Sequence, residues 1–332
     1  MTQLKRRDLF AGAAAVTLAS ALAPLGARVA ESAAPAAGSA SAGWFRYKVG
    51  DIEITVISDG VTSTPLPATY VANASKDEVN ALLEKQFLPK DKATHSYSPC
   101  VVNTGGKLVV IDTGGGPGAF NQSKGNFGQF QNNLKAAGID PNAVDAVVIS
   151  HFHGDHIGGL ITADNKPFYP NAEVLVPETE WKFWTDEGNT TKVAENLRGN
   201  FANTKRVFGA LGNKATPYQD GKEVVPGITA ISTPGHTPGH TSHMVSSGSN
   251  KVFLQADITA GMANLFVTNP DWQLVFDSDK AQGVATRKKF YDMASNDRLL
   301  VQGFHFPFPG LFYVEKAGGG YRLIPAPAGA AA

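Results

Sequence analysis

Three histidines and an aspartate crowd one short segment of the chain. Residues 150–159 read Ser-His-Phe-His-Gly-Asp-His-Ile-Gly-Gly, directly after an apolar run at residues 144–150 that predicts a buried strand. His151 and His153 are two positions apart, so an extended backbone directs both to the same side. Gly154 lets the chain turn, which can aim the following aspartate and histidine at a neighbouring point. Imidazole and carboxylate are ligands of zinc-like cations, so the segment predicts a site for one metal ion, or for two ions a few Å apart. The alternative is a solvated polar turn.

Three later segments also place a ligand-type residue just beyond the end of a predicted strand. These residues are His236 and His240 in a Pro- and Gly-rich loop after residues 227–232, Asp257 after residues 251–255, and His305 after residues 299–303. Loops on a rigid scaffold commonly carry binding and catalytic residues. Because all these positions follow strands in the same way, we expect them to converge at one edge of the sheets.

The elements that must position these residues form two successive runs of strand, hairpin and helix. We predict strands at residues 52–58, 100–103, 107–111, 144–150, 173–176, 227–232, 242–246, 251–255 and 299–303, a hairpin at 311–324, and helices at 76–87, 127–137, 178–187 and 279–294. The last helix should keep Arg287, Lys288 and Lys289 on its solvent side. Two mixed sheets packed face to face with helices outside would bury these strands on both sides. We therefore expect one α/β (α+β) domain over residues 43–326.

The composition excludes several classes of protein. The chain has 332 residues, 42% of them hydrophobic and 17% charged, with 29 basic and 29 acidic residues. Such values exclude a disordered or collagen-like chain. Without a basic excess to bind a phosphate backbone, we expect no nucleic-acid partner. The single cysteine, Cys100, excludes an internal disulfide and a cysteine-based zinc site.

The N-terminus predicts an export signal peptide and linker over residues 1–34. A basic start precedes an uncharged Ala- and Leu-rich run at residues 11–25, and small residues follow. The pair Arg6 and Arg7 resembles a twin-arginine signal, with an ordinary secretory signal as the alternative. The apolar run is too short to span a bilayer comfortably. We therefore expect a periplasmic or secreted protein without stable membrane association after the signal is removed.

The motifs resemble those of the metallo-β-lactamase superfamily of metal-dependent hydrolases. The matching residues are Asp112 in Ile-Asp-Thr-Gly, His151, His153, Asp155, His156, the loop at residues 235–240, Asp257 and His305. The resemblance implies a four-layer αββα sandwich, the metallo-β-lactamase fold, and two divalent metal ions. Zinc is the first expectation, with manganese, iron or cobalt as alternatives. It also implies the ligand sets, which are His151, His153 and His236 for one ion, Asp155, His156 and His305 for the other, and Asp257 bridging both.

A narrower resemblance is to secreted organophosphate hydrolases of the methyl parathion hydrolase type and to related lactonases. It rests on residues 50–60, 102–105, 134–138, 276–279 and 305–310. Gly154 departs from the pattern, since a proline is expected there. The resemblance implies that a hydroxide bridging the two metals attacks a phosphotriester, an aryl ester or a lactone, with Asp155 and Asp257 at the catalytic centre. The expected partner is a small, neutral, ester-like substrate, and the resemblance also suggests a homodimer.

Large apolar residues that follow the predicted strands predict a substrate pocket. The residues expected to contact the substrate are Trp184, Phe201, Leu265 and Phe266, and Trp184 matches a pocket tryptophan of the organophosphate enzymes by resemblance. An aromatic pocket with few charges suits a neutral, partly apolar substrate. The alternative is that these side chains belong to the core beneath the covering helices.

Two further residues are expected to contact the metal ligands without binding the metal themselves. Asp112 could orient a ligating histidine, and the alternative is an aspartate that stabilises a turn. His240 could act in the same way, and the alternative is a structural histidine. His95 and His243 are expected to be ordinary surface or half-buried residues.

Other activities share this ligand pattern. β-Lactamases and glyoxalase II-like thioester hydrolases are the alternatives within the superfamily. A β-lactamase usually needs a cation for the antibiotic carboxylate, and no lysine follows Gly239 in the expected region. A non-catalytic exported metal- or ligand-binding protein is the alternative of another class. It would lack part of the ligand set, whereas all seven residues are present here, which favours catalysis.

Overall fold

The computed structural model describes residues 42–327 of the chain. The predicted export signal and linker therefore lie outside the described residues and stay a prediction. Within the described range, no helix is both long enough and apolar enough to cross a membrane.

The described residues form strands that alternate with short helices. In chain order the strands are β1 (Trp44–Val49), β2 (Ile52–Ile57), β3 (Gly60–Pro65), β4 (Lys92–Tyr97), β5 (Cys100–Asn103), β6 (Leu108–Ile111), β7 (Ala146–Val148), β8 (Glu173–Pro177), β9 (Thr216–Tyr218), β10 (Glu223–Val225), β11 (Ile228–Ser232), β12 (Thr241–Ser247), β13 (Asn250–Leu254), β14 (Leu300–Gln302), β15 (Leu311–Ala317) and β16 (Gly320–Pro325). The α-helices are α1 (Lys76–Lys85), α2 (Gly116–Gln122), α3 (Phe130–Ala136), α4 (Gly154–Ile157), α5 (Glu178–Trp184), α6 (Gly199–Ala210), α7 (Ala263–Thr268) and α8 (Lys280–Asn296). Short 3-10 turns lie at Pro141–Ala143, Gly158–Leu160, Glu187–Lys192 and Glu195–Leu197.

Between residues 42 and 327 the strands make two seven-stranded sheets and a two-stranded ribbon. The first sheet has the order β1-β2-β5-β6-β7-β8-β9, the second runs from β10 to β16 in chain order, and β3 pairs with β4. Both large sheets are mixed, because β6 to β9 are parallel neighbours, as are β13 and β14.

The apolar strands are buried on both faces because successive side chains point to opposite sides of a sheet. In β5, Cys100 and Val102 pack between the two sheets, whereas Val101 packs against helices on the outer face. In β13, Phe253 faces outward and stacks on Phe290 of α8, with ring centroids 4.4 Å apart. The layers are therefore helix, sheet, sheet and helix, and the predicted αββα sandwich is confirmed.

Strand direction brings the ends of several strands to one edge of the sandwich. Strand β11 is antiparallel to β12, which is antiparallel to β13, so β11, β13 and β14 all run in the same direction. The loops after these strands leave the second sheet at the same edge. There the backbone N–H of Thr241 donates to the carbonyl of Ser150, just after β7 of the first sheet, at 3.1 Å. This edge collects the loops that carry the predicted ligands.

Some elements were not predicted from the sequence. Strand β4 reads Lys-Ala-Thr-His-Ser-Tyr, and its polar residues conceal a strand that pairs only with the equally polar β3 among the described residues. Helix α7 has six residues and no side-chain N-cap. Such short elements are stabilised by their tertiary contacts rather than by a periodic pattern, so their local signal is weak.

The basic run in α8 is only partly exposed, contrary to the prediction. Lys288 is exposed, but Arg287 is fully buried. Its guanidinium donates to the carbonyls of Pro270 and Trp272, at 3.0 and 2.7 Å, and lies 3.4 Å from the carboxylate of Asp277. Helical spacing explains the difference, because position 287 lies one turn from the buried positions on either side along the inner face of the helix.

Replacement of Arg287 by methionine is expected to lower the free energy of unfolding by about 3 kcal/mol, because a buried carboxylate loses its charged partner. Chemical denaturation followed by tryptophan fluorescence measures the change. Lys288→Met is the matched control, since it removes a charge from the exposed neighbouring position and should change the free energy by less than about 1 kcal/mol. Equal effects of the two substitutions would contradict this role of Arg287.

Candidate metal centre

The seven predicted ligands converge into two groups that share one aspartate. The first group is His151, His153, His236 and Asp257, and the second is Asp155, His156, Asp257 and His305. In each group the ligand atoms all lie within 4.8 Å of one another. Six of the seven side chains are buried, and Asp155 keeps 22% of its side chain exposed. This arrangement fits two neighbouring cations.

Asp257 lies between the two groups. Its Oδ2 atom is 3.2 Å from Nε2 of His236 and 3.1 Å from Nε2 of His305, and its Oδ1 atom is 3.4 Å from Nε2 of His156. The preceding residue, Ala256, has a φ of 49°, a left-handed conformation that costs an alanine free energy. The turn after β13 is therefore held in a strained form that directs Asp257 toward ligands of both groups.

Several buried nitrogen and oxygen atoms in the two groups make no hydrogen bond. They are Nε2 of His151, His153 and His156, and Oδ1 of Asp257. Buried polar atoms without partners are costly and rare in folded proteins. Nitrogen and carboxylate oxygen atoms directed at common points are the donor set that zinc and similar divalent ions bind. The residues present therefore fit a pair of divalent metal ions.

Burial and neighbouring charges set the protonation of these groups. Burial holds the pKa of His151 well below its ordinary value and lowers the pKa of His153 to about 3. Burial also opposes a charge on His305, but the carboxylates of Asp257 and Asp155 outweigh it and raise that pKa to about 9. Ligands bind metals in their deprotonated form, so a cation entering this group must displace a proton.

Asp112 lies behind the ligand loop, where its predicted role requires it. Its carboxylate accepts hydrogen bonds from Nδ1 of His156 at 2.8 Å and from the backbone N and Oγ of Ser150 at 2.8 and 2.7 Å. The Ser150 hydroxyl also lies 3.0 Å from Nδ1 of His151. A proton on Nδ1 of His156 leaves Nε2 free to bind a metal. Asp112 thus orients two histidines, one of them through Ser150.

His240 belongs to neither ligand group but supports Asp257. Its Nε2 accepts a hydrogen bond from the backbone N–H of Asp257 at 2.9 Å, and its Nδ1 donates to the carbonyl of Thr233 at 3.0 Å. One acceptor and one donor nitrogen define a neutral ring. Burial lowers the pKa of His240 to about 3, which is consistent with that form.

The supports of two other histidines were not predicted from the sequence. Nδ1 of His236 donates to Asp277 at 2.9 Å, and Nδ1 of His305 donates to the carbonyl of Ser96 at 2.9 Å. Both contacts leave Nε2 facing Asp257. Asp277 lies in the segment Phe-Asp-Ser-Asp that contributes to the narrower resemblance, so a local signal for it existed. The Ser96 carbonyl is a backbone group on an unpredicted strand and carries no such signal.

Glu180, another unpredicted residue, joins two of the ligand loops. This buried carboxylate accepts the backbone N–H groups of Phe152 and Gly239 at 3.0 and 2.7 Å, and the indole N–H of Trp184 at 2.7 Å. A Cβ on Gly239 would lie 2.5 Å from the backbone nitrogen of Glu180, so only glycine permits this approach. Burial raises the pKa of Glu180, while the N–H donors favour its ionised form. The carboxylate therefore ties the loop after β7 to the loop after β11.

The ligand groups open into a cavity of about 510 Å³. Its aromatic lining comes from Tyr97, Phe127 and Phe276. Its polar lining, apart from the ligands and His95, includes Gln122, Asn196, Asn200, Asn203 and Arg206. The cavity thus combines aromatic surface with amide groups, the latter mostly from α6 and the turn before it.

The prediction that Trp184, Phe201, Leu265 and Phe266 contact the substrate is contradicted, because none of them lines this cavity. Each is at most 6% exposed and packs in a hydrophobic core. Trp184 and Phe201 lie on the inner faces of α5 and α6, and the other two lie on the inner face of α7. The polar faces of the short helices were not expected to form the wall of the cavity.

Comparison with known proteins establishes the family. Residues 96–297 match the metallo-beta-lactamase superfamily, which is more than half of the chain. The chain belongs to this superfamily, as the sequence motifs indicated.

Among curated proteins, the chain is similar to N-acyl homoserine lactonases. It is 33% identical to AttM of Agrobacterium fabrum over 129 residues, which cover 36% of this chain and 43% of AttM. It is 28% identical to AiiA of Bacillus thuringiensis subsp. kurstaki over 171 residues, which cover 46% of this chain and 60% of AiiA. The chain spans about half the length of these curated relatives.

Solved structures match over a larger share of the chain. AidC, a dizinc quorum-quenching lactonase in complex with a product, superposes with a TM-score of 0.79 and 26% identity, covering 86% of this chain and 97% of AidC. The hydrolase AbOPH of the beta-lactamase superfamily superposes with a TM-score of 0.77 and 27% identity, covering 87% of this chain and 99% of AbOPH.

Replacement of Glu180 by glutamine is expected to lower the free energy of unfolding by about 2 kcal/mol, because the amide leaves at least one buried N–H without an acceptor. Denaturant titration measures this change. Glu178→Gln is the matched control on the same helix, since Glu178 is partly exposed and pairs with Lys182 at 2.6 Å. It should change the free energy by less than about 1 kcal/mol. A Glu180→Gln protein as stable as this control would rule out the proposed tie between the loops.

Metal content provides an independent check of the two ligand groups. The wild-type chain is expected to retain two divalent ions after dialysis, measured by mass spectrometry of the metals. His153→Ala removes a ligand of the first group only and should reduce the content toward one ion. Asp257→Ala removes the shared ligand and should reduce the content below one ion. Full metal content in Asp257→Ala would contradict the shared role of this residue, and Glu178→Gln serves as the unaffected control.

Proposed function

We propose that the protein is a metal-dependent hydrolase that opens a lactone or cleaves a related neutral ester. The observation that carries this proposal is the position of Asp257, which is shared by two neighbouring ligand groups beneath an open cavity. When bound there, a pair of divalent ions supplies Lewis-acid activation of the ester and of water. Superfamily membership and the lactonase relatives support the same activity.

The protein's own contribution to hydrolysis centres on Asp155. This carboxylate lines the cavity, is the partly exposed member of the ligand set, and lies 3.4 Å from Nε2 of His305. Burial opposes its ionisation, but His156 and His305 outweigh that effect and hold its pKa below the ordinary value. An ionised carboxylate at the cavity floor can orient a water molecule and accept its proton. The hydrogen bond from the backbone N–H of Asp257 to His240 fixes the position of Asp257. Because Asp257 belongs to both ligand groups, it fixes their positions relative to each other.

N-acyl homoserine lactones are the substrate class that the cavity and the relatives favour together. Such a molecule joins a cyclic ester to an acyl chain through an amide. The aromatic residues Tyr97, Phe127 and Phe276 offer apolar contact for the chain. The amide side chains of Asn200 and Asn203 offer hydrogen bonds of the kind that a substrate amide can make.

A substrate panel tests the proposal. Metal-loaded protein should hydrolyse a short-chain N-acyl homoserine lactone faster than an aryl acetate or a dialkyl aryl phosphotriester. The rate is measured in a pH-stat, which records the acid that hydrolysis releases. His151→Ala should reduce turnover to near the uncatalysed rate, because it removes a ligand of the first group, whereas Glu178→Gln should retain activity. If the metal-loaded protein hydrolyses no member of the panel, the proposed hydrolase activity is refuted. If it prefers the phosphotriester, the proposed lactone substrate is refuted.

A further inference from the structure

Tyr70 and His95 form a hydrogen-bonded pair in the cavity wall, outside both ligand groups. The Tyr70 hydroxyl lies 3.0 Å from Nε2 of His95. Tyr70, in the segment between β3 and α1, is 1% exposed, whereas His95 on β4 lines the cavity that also contains Asp155 and His305. From the sequence His95 was expected to be an ordinary surface or half-buried residue, and the hydrolytic role proposed above does not use it.

The hydrogen bonds around Tyr70 define which nitrogen of His95 carries the proton. The Tyr70 oxygen accepts the backbone N–H of Met262 at 2.8 Å. Among the described residues, Nε2 of His95 is the one acceptor within reach of the hydroxyl proton. Tyr70 therefore donates to Nε2. A neutral imidazole has one donor and one acceptor nitrogen, so the ring proton of His95 lies on Nδ1. Burial lowers the pKa of His95 to about 4, and the ring is neutral at pH 7.

The surroundings hold the pair in this arrangement. Gly261 has a φ of 62°, and a Cβ there would lie 2.2 Å from the Tyr70 hydroxyl, so glycine permits the contact with the adjacent Met262. Phe276 packs edge-on against both rings, with centroids 6.1 Å from Tyr70 and 6.4 Å from His95. A donor fixed before the substrate arrives needs no reorganisation during the reaction.

The Nδ1 atom of His95 is available to a molecule in the cavity. It makes no hydrogen bond with the described residues, and it is not among the fully buried atoms that lack a partner. The charged and titratable groups that influence the ring are Asp155, Asp257 and His305, all at the cavity floor. An N–H donor is thus present on the wall of the cavity that holds the proposed reaction centre.

We propose that His95 donates a hydrogen bond from Nδ1 to an oxygen atom of the bound ester, the atom on which negative charge develops when the ester is attacked. Tyr70 is then a positioning residue that sets the tautomer of His95. This inference rests on the proposed hydrolase function. A hydrogen bond to developing charge is stronger in the transition state than in the bound substrate, so its loss lowers kcat more than it raises KM.

Three substitutions in metal-loaded protein test the role of the donor. His95→Phe keeps a ring but removes the N–H, and we expect kcat for the best panel substrate to fall by about ten- to a hundredfold, with unchanged metal content. His95→Gln restores an N–H donor and should recover part of that loss. Tyr70→Phe should lower kcat less than His95→Phe does, because the tautomer is no longer imposed. Thr94→Val, at the adjacent exposed position of β4, is the control and should match the wild type.

The tautomer has a readout that does not depend on activity. In protein labelled with ¹⁵N-histidine, the His95 signals, assigned by their loss in His95→Phe, should show a protonated Nδ1 and an unprotonated Nε2, and Tyr70→Phe should weaken that preference. A proton on Nε2, an unchanged kcat in His95→Phe, or equal loss in His95→Phe and His95→Gln would overturn the inference. Absence of ester hydrolysis by the metal-loaded wild type would instead overturn the proposed function, so the two failures are distinguishable.

Discussion

The structure depends on the cost of burying six of its seven ligand-type side chains at one edge of the sandwich. Five histidine rings and an aspartate are almost wholly removed from water within a few Å of one another. Such groups are unfavourable unless each is hydrogen-bonded or bound to a cation. The fold meets this requirement by placing an acceptor behind individual rings, as Asp112 does for His156 and Asp277 does for His236. These contacts leave a nitrogen on each ring directed at the centre.

A second consequence is that the loops cannot move independently. Each ligand group takes residues from both sheets, so a shift between the sheets would change the distances within both groups. Glu180 and the hydrogen bond between Thr241 and Ser150 connect the two sides at this edge. Asp277 extends the connection to the buried Arg287 of α8. Helices on the outer layers thereby help to fix the geometry of the site.

The cavity is built from less regular parts than the ligand groups. Its aromatic and donor groups include Tyr97 and His95 of β4, a strand in the small ribbon, and its amide groups come largely from α6 and the preceding turn. The central sheets set the ligand positions, whereas these peripheral elements set the shape and polarity of the space above them. Variation in such elements can alter specificity without disturbing the core of the fold.

The amino-acid sequence by itself determined the fold class, the superfamily and the residues of the two ligand groups. These features depend on local patterns, namely apolar runs of strand length with histidine or aspartate directly after them, and on the resemblance of those motifs to a known superfamily. Only the tertiary structure decided which residues form hydrogen bonds to the ligands and which residues line the cavity next to them. Arg287 and Glu180 look like solvent-facing charges in the sequence, yet both are buried, and Trp184 and Phe266 look like pocket residues but pack in the core. Whether a residue on a short helix faces water, core or cavity depends on the partner that covers it, and that partner is distant in the chain. The hydrogen bond between Tyr70 and His95 likewise has no local signature, because the two residues lie in different segments of the chain.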